Sequence, residues 1–186
     1  MRQGAMQGVR RLLFRVTFAA ACAGGALGPA LAVPGCAPPQ FPASASNPLL
    51  GQALPEIHRR SLDGHAIDQG LLQGTPVLVK FFADYCQPCK ETLPAAERIH
   101  EAYPDVTFLG VDEDDTSETA SDVVRRYGLS FPVIHDSGNV LAGRFRVTAM
   151  PTTFVADPHG VVRWVGAEGQ TEGDLRQAVQ AARAAR

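Results

Sequence analysis

Residues 77–89 read VLVKFFADYCQPC. Apart from Lys80, the first six residues, Val77–Phe82, are branched or aromatic, which is typical of a strand buried on both faces of a sheet. A helical pattern follows to about Ala102, and Pro88 suits its first turn because the missing N–H of proline is not needed there. The two cysteines of this segment therefore lie where a buried strand passes into a helix.

Cys86 and Cys89 are the predicted redox-active residues. On a first helical turn, the two-residue spacer Gln87-Pro88 brings the two sulfurs close enough to close a small ring. The free N–H groups of that turn point at Cys86 and stabilise its thiolate. We predict that Cys86 is an exposed nucleophile that attacks a partner disulfide, and that the more shielded Cys89 resolves the mixed disulfide. This redox-active pair is the only cofactor that we expect.

Two other interpretations of the pair are weaker. A closed zinc site needs four ligands, and no second cysteine pair or closely spaced histidine pair follows Cys89. A purely structural bridge across two residues would constrain very little of the chain. We therefore predict no metal site.

The rest of the domain shows clear strand and helix patterns. A hairpin is predicted around Asp63-Gly64, because Asp-Gly suits a tight turn. Further strands are predicted at Val106–Val111, Phe131–His135, Thr152–Ala156 and Val161–Val165, and helices at Ser117–Tyr127, within 136–145 and at Glu172–Ala184. This order indicates a sheet covered by helices on both faces.

Residues 1–35 have the composition of an export signal or a membrane anchor. Arginines precede an apolar stretch, and Ala30-Leu31-Ala32 provides small residues for signal-peptidase cleavage. Val33-Pro34-Gly35-Cys36 is similar to a bacterial lipobox, in which Cys36 would be lipidated. Cleavage, lipidation and an uncleaved anchor all place the protein on the periplasmic side of the inner membrane.

Residues 36–48 are rich in proline, alanine and serine and have no apolar period, so we predict a tether there. The folded domain is then expected at 49–186.

Composition excludes several classes of protein. A net charge of −2 over 186 residues provides no basic surface for nucleic acid. A hydrophobic content of 45% argues against disorder, and four cysteines are too few for a disulfide-stapled small domain.

The segment Val77–Pro94 resembles the active site of thioredoxin-like thiol-disulfide oxidoreductases, in particular the exported TlpA/ResA-like branch. The resemblance covers about 49–184 and includes Tyr-Gly-Leu-x-Phe-Pro-Val at 127–133 and Met-Pro-Thr-Thr-Phe at 150–154. It implies an α/β thioredoxin fold: a central mixed sheet flanked by helices, an N-terminal β-hairpin and a central inserted helix.

The same resemblance implies a function. Such a protein would reduce protein disulfides, for example the haem-binding pair of an apocytochrome c, with electrons from a thiol donor in the membrane. Pro151 matches the cis-proline of the family, which lies beside the redox pair. A cis bond there would expose the backbone of Met150 to pair with a substrate segment.

The sequence departs from the family pattern at Lys80, where cytoplasmic thioredoxins carry a buried aspartate. This lysine either stabilises thiolate charge, becomes a neutral amine through burial, or extends to the surface. Asp112 and Glu113 begin an acidic run to Asp115. One of these carboxyl groups would transfer a proton to or from the redox pair, unless the run is simply a solvated loop.

Two other functions remain open. A peroxidase of the peroxiredoxin type shares the fold and would use one cysteine in the motif Pro-x-x-x-Thr/Ser-x-x-Cys, but Val79 and Ala83 occupy the two diagnostic positions before Cys86. A redox-inert or copper-binding module would need a histidine beside the two thiols, and His135 is the nearest candidate.

Overall fold

The computed structural model describes residues 39–185. The predicted signal or anchor at 1–35 and the candidate lipidation site Cys36 lie outside these residues. Within the described part of the chain, no helix is both long and apolar enough to cross a bilayer.

Seven strands and four helices form in the described residues. The strands are β1 Arg59–Arg60, β2 Ala66–Ile67, β3 Val77–Phe82, β4 Thr107–Asp112, β5 Val133–His135, β6 Thr152–Ala156 and β7 Val162–Gly166. The helices are α1 Gln87–Ala102, α2 Ser117–Tyr127, α3 Val140–Arg144 and α4 Glu172–Ala184.

The central sheet is mixed and has the strand order β5-β4-β3-β6-β7. Strands β3, β4 and β5 run parallel, whereas β6 is antiparallel to both β3 and β7. Strands β1 and β2 form a separate antiparallel hairpin near the N-terminus of the domain. The predicted mixed sheet, N-terminal hairpin and inserted α2 are thus confirmed.

Strand β3 is buried on both faces, as its sequence predicts, and all six of its residues are buried. Leu78 and Phe82 face a core layer that includes residues of α1 and α4. Val79 and Phe81 face the opposite layer, where the rings of Phe81 and Phe145 lie 5.1 Å apart. Because side chains alternate along a strand, Lys80 points to the same face as Leu78 and Phe82.

The predicted tether differs from the structure in its described part, residues 39–48. This segment contacts strand β7, the edge strand of the sheet: the Ala45 N–H donates to the Val165 carbonyl at 2.7 Å, and the Trp164 indole N–H donates to the Ala43 carbonyl at 3.1 Å. Unpaired backbone groups of an edge strand need partners. The segment supplies them through its backbone and through the Ser44 hydroxyl, which accepts the Val165 N–H at 3.0 Å, and neither contact requires an apolar period.

Candidate active site

The loops that follow β3, β4 and β5 and the loop that precedes β6 lie at the same edge of the sheet. The carboxyl ends of the parallel strands β3, β4 and β5 meet there. Strand β6 runs the other way and places Thr152 opposite Phe81, so the residues just before β6 lie at the same edge. In open α/β sheets, such an edge is where reactive groups are brought together.

Cys86 and Cys89 lie at this edge, at the start of α1. Cys86 is the N-cap residue, and its Sγ accepts a hydrogen bond from the Cys89 backbone N–H at 3.2 Å. The two residues form a disulfide, with their Cα atoms 5.3 Å apart. The N-terminus of a 16-residue helix favours negative charge at this sulfur once the disulfide is reduced.

The two sulfurs differ in their access to solvent. Cys86 exposes 7% of its surface and Cys89 exposes none. The relative order agrees with the sequence prediction, but Cys86 is far less exposed than predicted. Its N-cap position turns the sulfur toward the first turn of the helix, where it packs in the same core layer as Leu93.

The residues around Cys86 form an accessible rim. Tyr85 is 69% exposed, and Gln87 is exposed beside it. Pro88 lies in the first turn of α1 as predicted. A partner protein therefore meets an aromatic ring and an amide directly next to the redox pair.

Met150 and Pro151 border the site from the start of β6. The Met150-Pro151 peptide bond is cis, as the family resemblance implies. Pro151 is buried, and Met150 packs against the core layer that contains both cysteines. The chain is held here by the Thr152 hydroxyl, which donates to the Ala149 carbonyl at 2.6 Å.

Lys80 is completely buried beneath this edge. Its Nζ donates to the Thr153 hydroxyl at 3.4 Å, and no carboxylate in the described residues forms an ion pair with it. Burial without a counter-charge lowers the pKa of Lys80 to about 7. The interpretation that Lys80 extends to the surface is wrong, because the central strand is covered by helices.

The acidic run after β4 is also not a solvated loop. Asp112 is fully buried, Asp114 is 6% exposed and Glu113 is half-buried, whereas Asp115 is exposed. The Asp114 carboxylate accepts the Asp84 N–H at 2.9 Å, and Asp112 accepts the Asp114 N–H at 3.0 Å. These carboxylates face inward. Their hydrogen bonds with backbone N–H groups hold the loop in place.

Burial and mutual repulsion change the acidity of this cluster. Burial, with the nearby Asp114 and Glu113, raises the pKa of Asp112. Burial and the charge of Asp136 raise the pKa of Glu113 to about 7. Carboxyl groups of this kind retain protons near neutral pH and are suited to proton transfer.

Asp136 and His135 complete the cluster, and the sequence analysis assigned no proton-transfer role to either residue. Asp136 is 2% exposed and accepts the Ala142 N–H at 2.9 Å. The His135 Nδ1 lies 3.7 Å from Asp112 Oδ1. Their position could have indicated them, since His135 ends the strand beside β4 and Asp136 directly follows it. Within residues 39–185, no group of three or more His, Cys, Asp or Glu side chains is arranged to hold a metal ion.

Comparisons with known proteins place this site in a family. A sequence model of the AhpC/TSA family matches residues 50–165. The chain belongs to the AhpC/TSA family. The thiol-disulfide oxidoreductase ResA of Halalkalibacterium halodurans is 32% identical over 113 residues, which cover 60% of this chain and 64% of that protein. The match thus spans slightly less than two thirds of this relative.

Solved structures of similar proteins agree with the thioredoxin-like fold. The structure of MTB dsbF has a TM-score of 0.64 and 28% identity, covering 68% of this chain and 95% of that one. A secreted thiol-disulfide isomerase from Corynebacterium glutamicum has a TM-score of 0.63 and 27% identity, covering 69% of this chain and 84% of that one. The resemblance to thioredoxin-like oxidoreductases is thereby confirmed.

Proposed function

We propose that this protein is a thiol-disulfide oxidoreductase that reduces disulfides in other proteins through Cys86 and Cys89. The observation that carries the proposal is the disulfide pair at the N-terminus of α1, with Cys86 as N-cap and the more shielded Cys89 one turn further on. The relatives named thiol-disulfide oxidoreductase and thiol-disulfide isomerase support the same chemistry.

The first step is attack on the substrate disulfide. In the reduced protein, the Cys86 thiolate attacks one sulfur of the partner and forms a mixed disulfide. The other partner sulfur leaves as a thiolate and takes a proton. The N–H of Cys89, which lies 3.2 Å from Cys86 Sγ, stabilises the attacking thiolate.

The second step regenerates the disulfide. Cys89 loses its proton and attacks Cys86 Sγ, which releases the second partner sulfur as a thiol. Two electrons and two protons have then passed to the substrate, and Cys86 and Cys89 are oxidised to a disulfide. A thiol donor on the membrane would reduce that disulfide again.

We infer that Lys80 accepts the proton of Cys89. Its side chain faces the core layer that holds Cys89, and with a pKa of about 7 a substantial fraction of the amine is neutral near neutral pH. Asp112 and Glu113 retain protons in the same pH range and would exchange protons between the site and solvent.

Substrate binding would use the backbone at Met150. Pro151 is cis and buried, whereas Met150 is half-buried at the edge of the site. An extended substrate segment would pair with the Met150 backbone, as a strand adds to the edge of a sheet. Tyr85 would contact the same segment.

We propose the cellular context from the composition of residues 1–35 and from the secreted relative. Export to the periplasmic side, with cleavage or with retention through the N-terminus or a lipid on Cys36, suits a pair that meets folded proteins with disulfides. We propose protein disulfides as substrates, among them the cysteine pair of an apocytochrome c, and no role in nucleic-acid binding.

A peroxidase is the competing function, because it shares the fold. Its motif requires a proline and a hydroxyl residue before the cysteine, whereas the chain has Val79 and Ala83, both buried and neither able to orient a peroxide. We expect the reduced full-length protein to reduce insulin disulfides catalytically in the presence of dithiothreitol. Hydrogen peroxide should be consumed no faster than by free cysteine. Rapid peroxide consumption without insulin reduction would favour the peroxidase instead.

A further inference from the structure

The short turn that carries Cys86 is attached to the loop after β4. The Cys86 N–H donates to the Ala83 carbonyl at 3.2 Å, which closes a turn over residues 83–86 that we call the cysteine turn. Within this turn, the Asp84 N–H donates to both carboxylate oxygens of Asp114, at 2.9 and 3.1 Å. A side chain from another loop therefore holds the residue two positions before the nucleophile.

Asp114 is itself held in place. It is 6% exposed, and its own N–H donates to Oδ1 of Asp112, the last residue of β4, at 3.0 Å. Beside it, the Glu113 N–H donates to the Phe82 carbonyl at 2.9 Å, which continues the pairing of β3 and β4 up to the cysteine turn. A carboxylate that is buried and hydrogen-bonded in this way supports the turn more rigidly than a surface contact would.

This support affects the direction of the Cys86 sulfur. Cys86 has the extended backbone of an N-cap residue, with φ −82° and ψ 100°, and its Sγ accepts the Cys89 N–H. Without the Asp114 carboxylate, the N–H of the half-buried Asp84 would lose its acceptor, and such a loss is costly enough to displace a turn. Arg126 of α2 still pairs with the Asp84 carboxylate, so the turn should shift rather than unfold.

The negative charge of Asp114 acts on the same sulfur. Consecutive Cα atoms are about 3.8 Å apart, so the contact with Asp84 brings the Asp114 carboxylate to within roughly 10 Å of Cys86 Sγ. At that distance in a partly shielded site, the charge disfavours the thiolate by up to roughly ten-fold. A less stable thiolate favours the disulfide, because the disulfide carries no charge, and the pair becomes a stronger reductant.

We propose that Asp114 is a positioning residue of the redox site, which fixes the cysteine turn through the Asp84 N–H and favours the disulfide form through its charge. This inference rests on the proposed function and adds to it a residue that influences both the rate of attack and the reducing strength of the pair.

The other titratable groups on the elements around the pair stay constant when only Asp114 is changed. They are Lys80 on β3, Asp84 and Tyr85 in the turn, Lys90 and Glu91 on α1, Asp112, Glu113 and Asp115 after the body of β4, Arg126 on α2, and His135 and Asp136 at the end of β5. A difference between the wild type and an Asp114 variant therefore reports on Asp114.

The first measurement is the exchange equilibrium of the full-length protein with glutathione. Asp114→Asn removes the charge but keeps an oxygen that can accept the Asp84 N–H. We expect its equilibrium constant to shift roughly ten-fold toward the dithiol, which corresponds to about 30 mV. The control Asp115→Asn, the exposed neighbour in the same loop, should shift it by less than about two-fold, because solvent and salt screen its charge.

The second measurement separates position from charge. Asp114→Ala and Asp114→Asn both lack the charge, but only Asp114→Asn retains an acceptor oxygen. Each reduced protein is mixed with hydroxyethyl disulfide at a pH where Cys86 is fully ionised, as read from the absorbance of the thiolate. Asp114→Asn should react roughly ten-fold faster than Asp114→Ala, because a displaced nucleophile attacks less often in the productive geometry. Thermal unfolding checks that both variants are folded.

Three results would overturn the inference: an unchanged glutathione equilibrium in Asp114→Asn, an equal shift in Asp115→Asn, or equal rates for the folded Asp114→Asn and Asp114→Ala proteins. If Asp114→Ala does not fold, the equilibrium of Asp114→Asn decides. Failure of the wild-type protein to exchange with glutathione at all would instead contradict the proposed function.

Discussion

Cys86→Ser is expected to abolish disulfide exchange, with a fall of roughly 10³-fold or more in the rate of insulin reduction. The reason is chemical. A serine hydroxyl is a far weaker nucleophile than a thiolate and cannot form the mixed disulfide. The remaining Cys89 is fully buried, so it cannot take over the attack on a protein substrate.

The loss of exchange should not reflect loss of folding. The disulfide closes a very short loop, and its removal should cost about 2 kcal/mol or less. Cys36→Ser is the matched control, because Cys36 belongs to the predicted tether and lies outside the described residues, and its substitution should leave the rate unchanged. Undiminished exchange in Cys86→Ser would rule out the assigned nucleophile, and a loss in Cys36→Ser would implicate the N-terminal segment.

Lys80→Met is expected to stabilise the oxidised protein at pH 6 by several kcal/mol, on the order of 3 to 5. Methionine fills a similar volume without a charge to bury. The folded pKa of Lys80 is about 7, against 10.5 for an exposed lysine, so the unfolded state binds more protons between these two values. Wild-type stability should therefore rise with pH through this window, and the advantage of the variant should disappear near pH 10.5.

Thermal unfolding from pH 6 to pH 10.5 measures this effect, with an expected gain of roughly 10 °C at pH 6. Lys90→Met, which changes the other lysine of the chain on the half-buried surface of α1, should give a small and nearly pH-independent change. A Lys80→Met protein that is less stable than wild type at pH 6 would show that the buried charge of Lys80 does not destabilise the folded protein.

The same variant separates a structural role from a proton-accepting role. If Lys80 takes the proton of Cys89, the resolution step in the wild type should accelerate as pH rises through about 7. Lys80→Met should lose that inflection while Cys86 still forms the mixed disulfide. An unchanged pH profile would assign proton transfer to the acidic cluster of Asp112 and Glu113.

Much of the fold was predictable because its signals are local. The apolar run of β3 and the proline at the start of α1 fixed the strand-to-helix junction. Helix α2 ends where Gly128 adopts a positive φ of 61°, a conformation that glycine adopts easily. Each of these features depends on neighbouring residues alone.

The alternatives that the sequence left open at the site all concern burial, which depends on distant parts of the chain. Lys80 and Asp112 are charged, and charged residues are usually exposed. Their burial follows from the pairing of β3 between β4 and β6 and from the helices above them. The contacts of residues 39–48 with β7 could not be predicted for a related reason, since they use backbone atoms and one hydroxyl group, which side-chain periodicity does not reveal.

The most direct test of the central claim is to trap the mixed disulfide with full-length Cys89→Ser. The variant is reduced, mixed with insulin, digested without reductant, and analysed by mass spectrometry. We expect a stable adduct in which insulin is bound to Cys86. It should form in near-stoichiometric yield because the variant has no resolving thiol at position 89. An adduct only on a cysteine other than Cys86, or no adduct while the wild type reduces insulin, would contradict the assignment of Cys86 as the nucleophile.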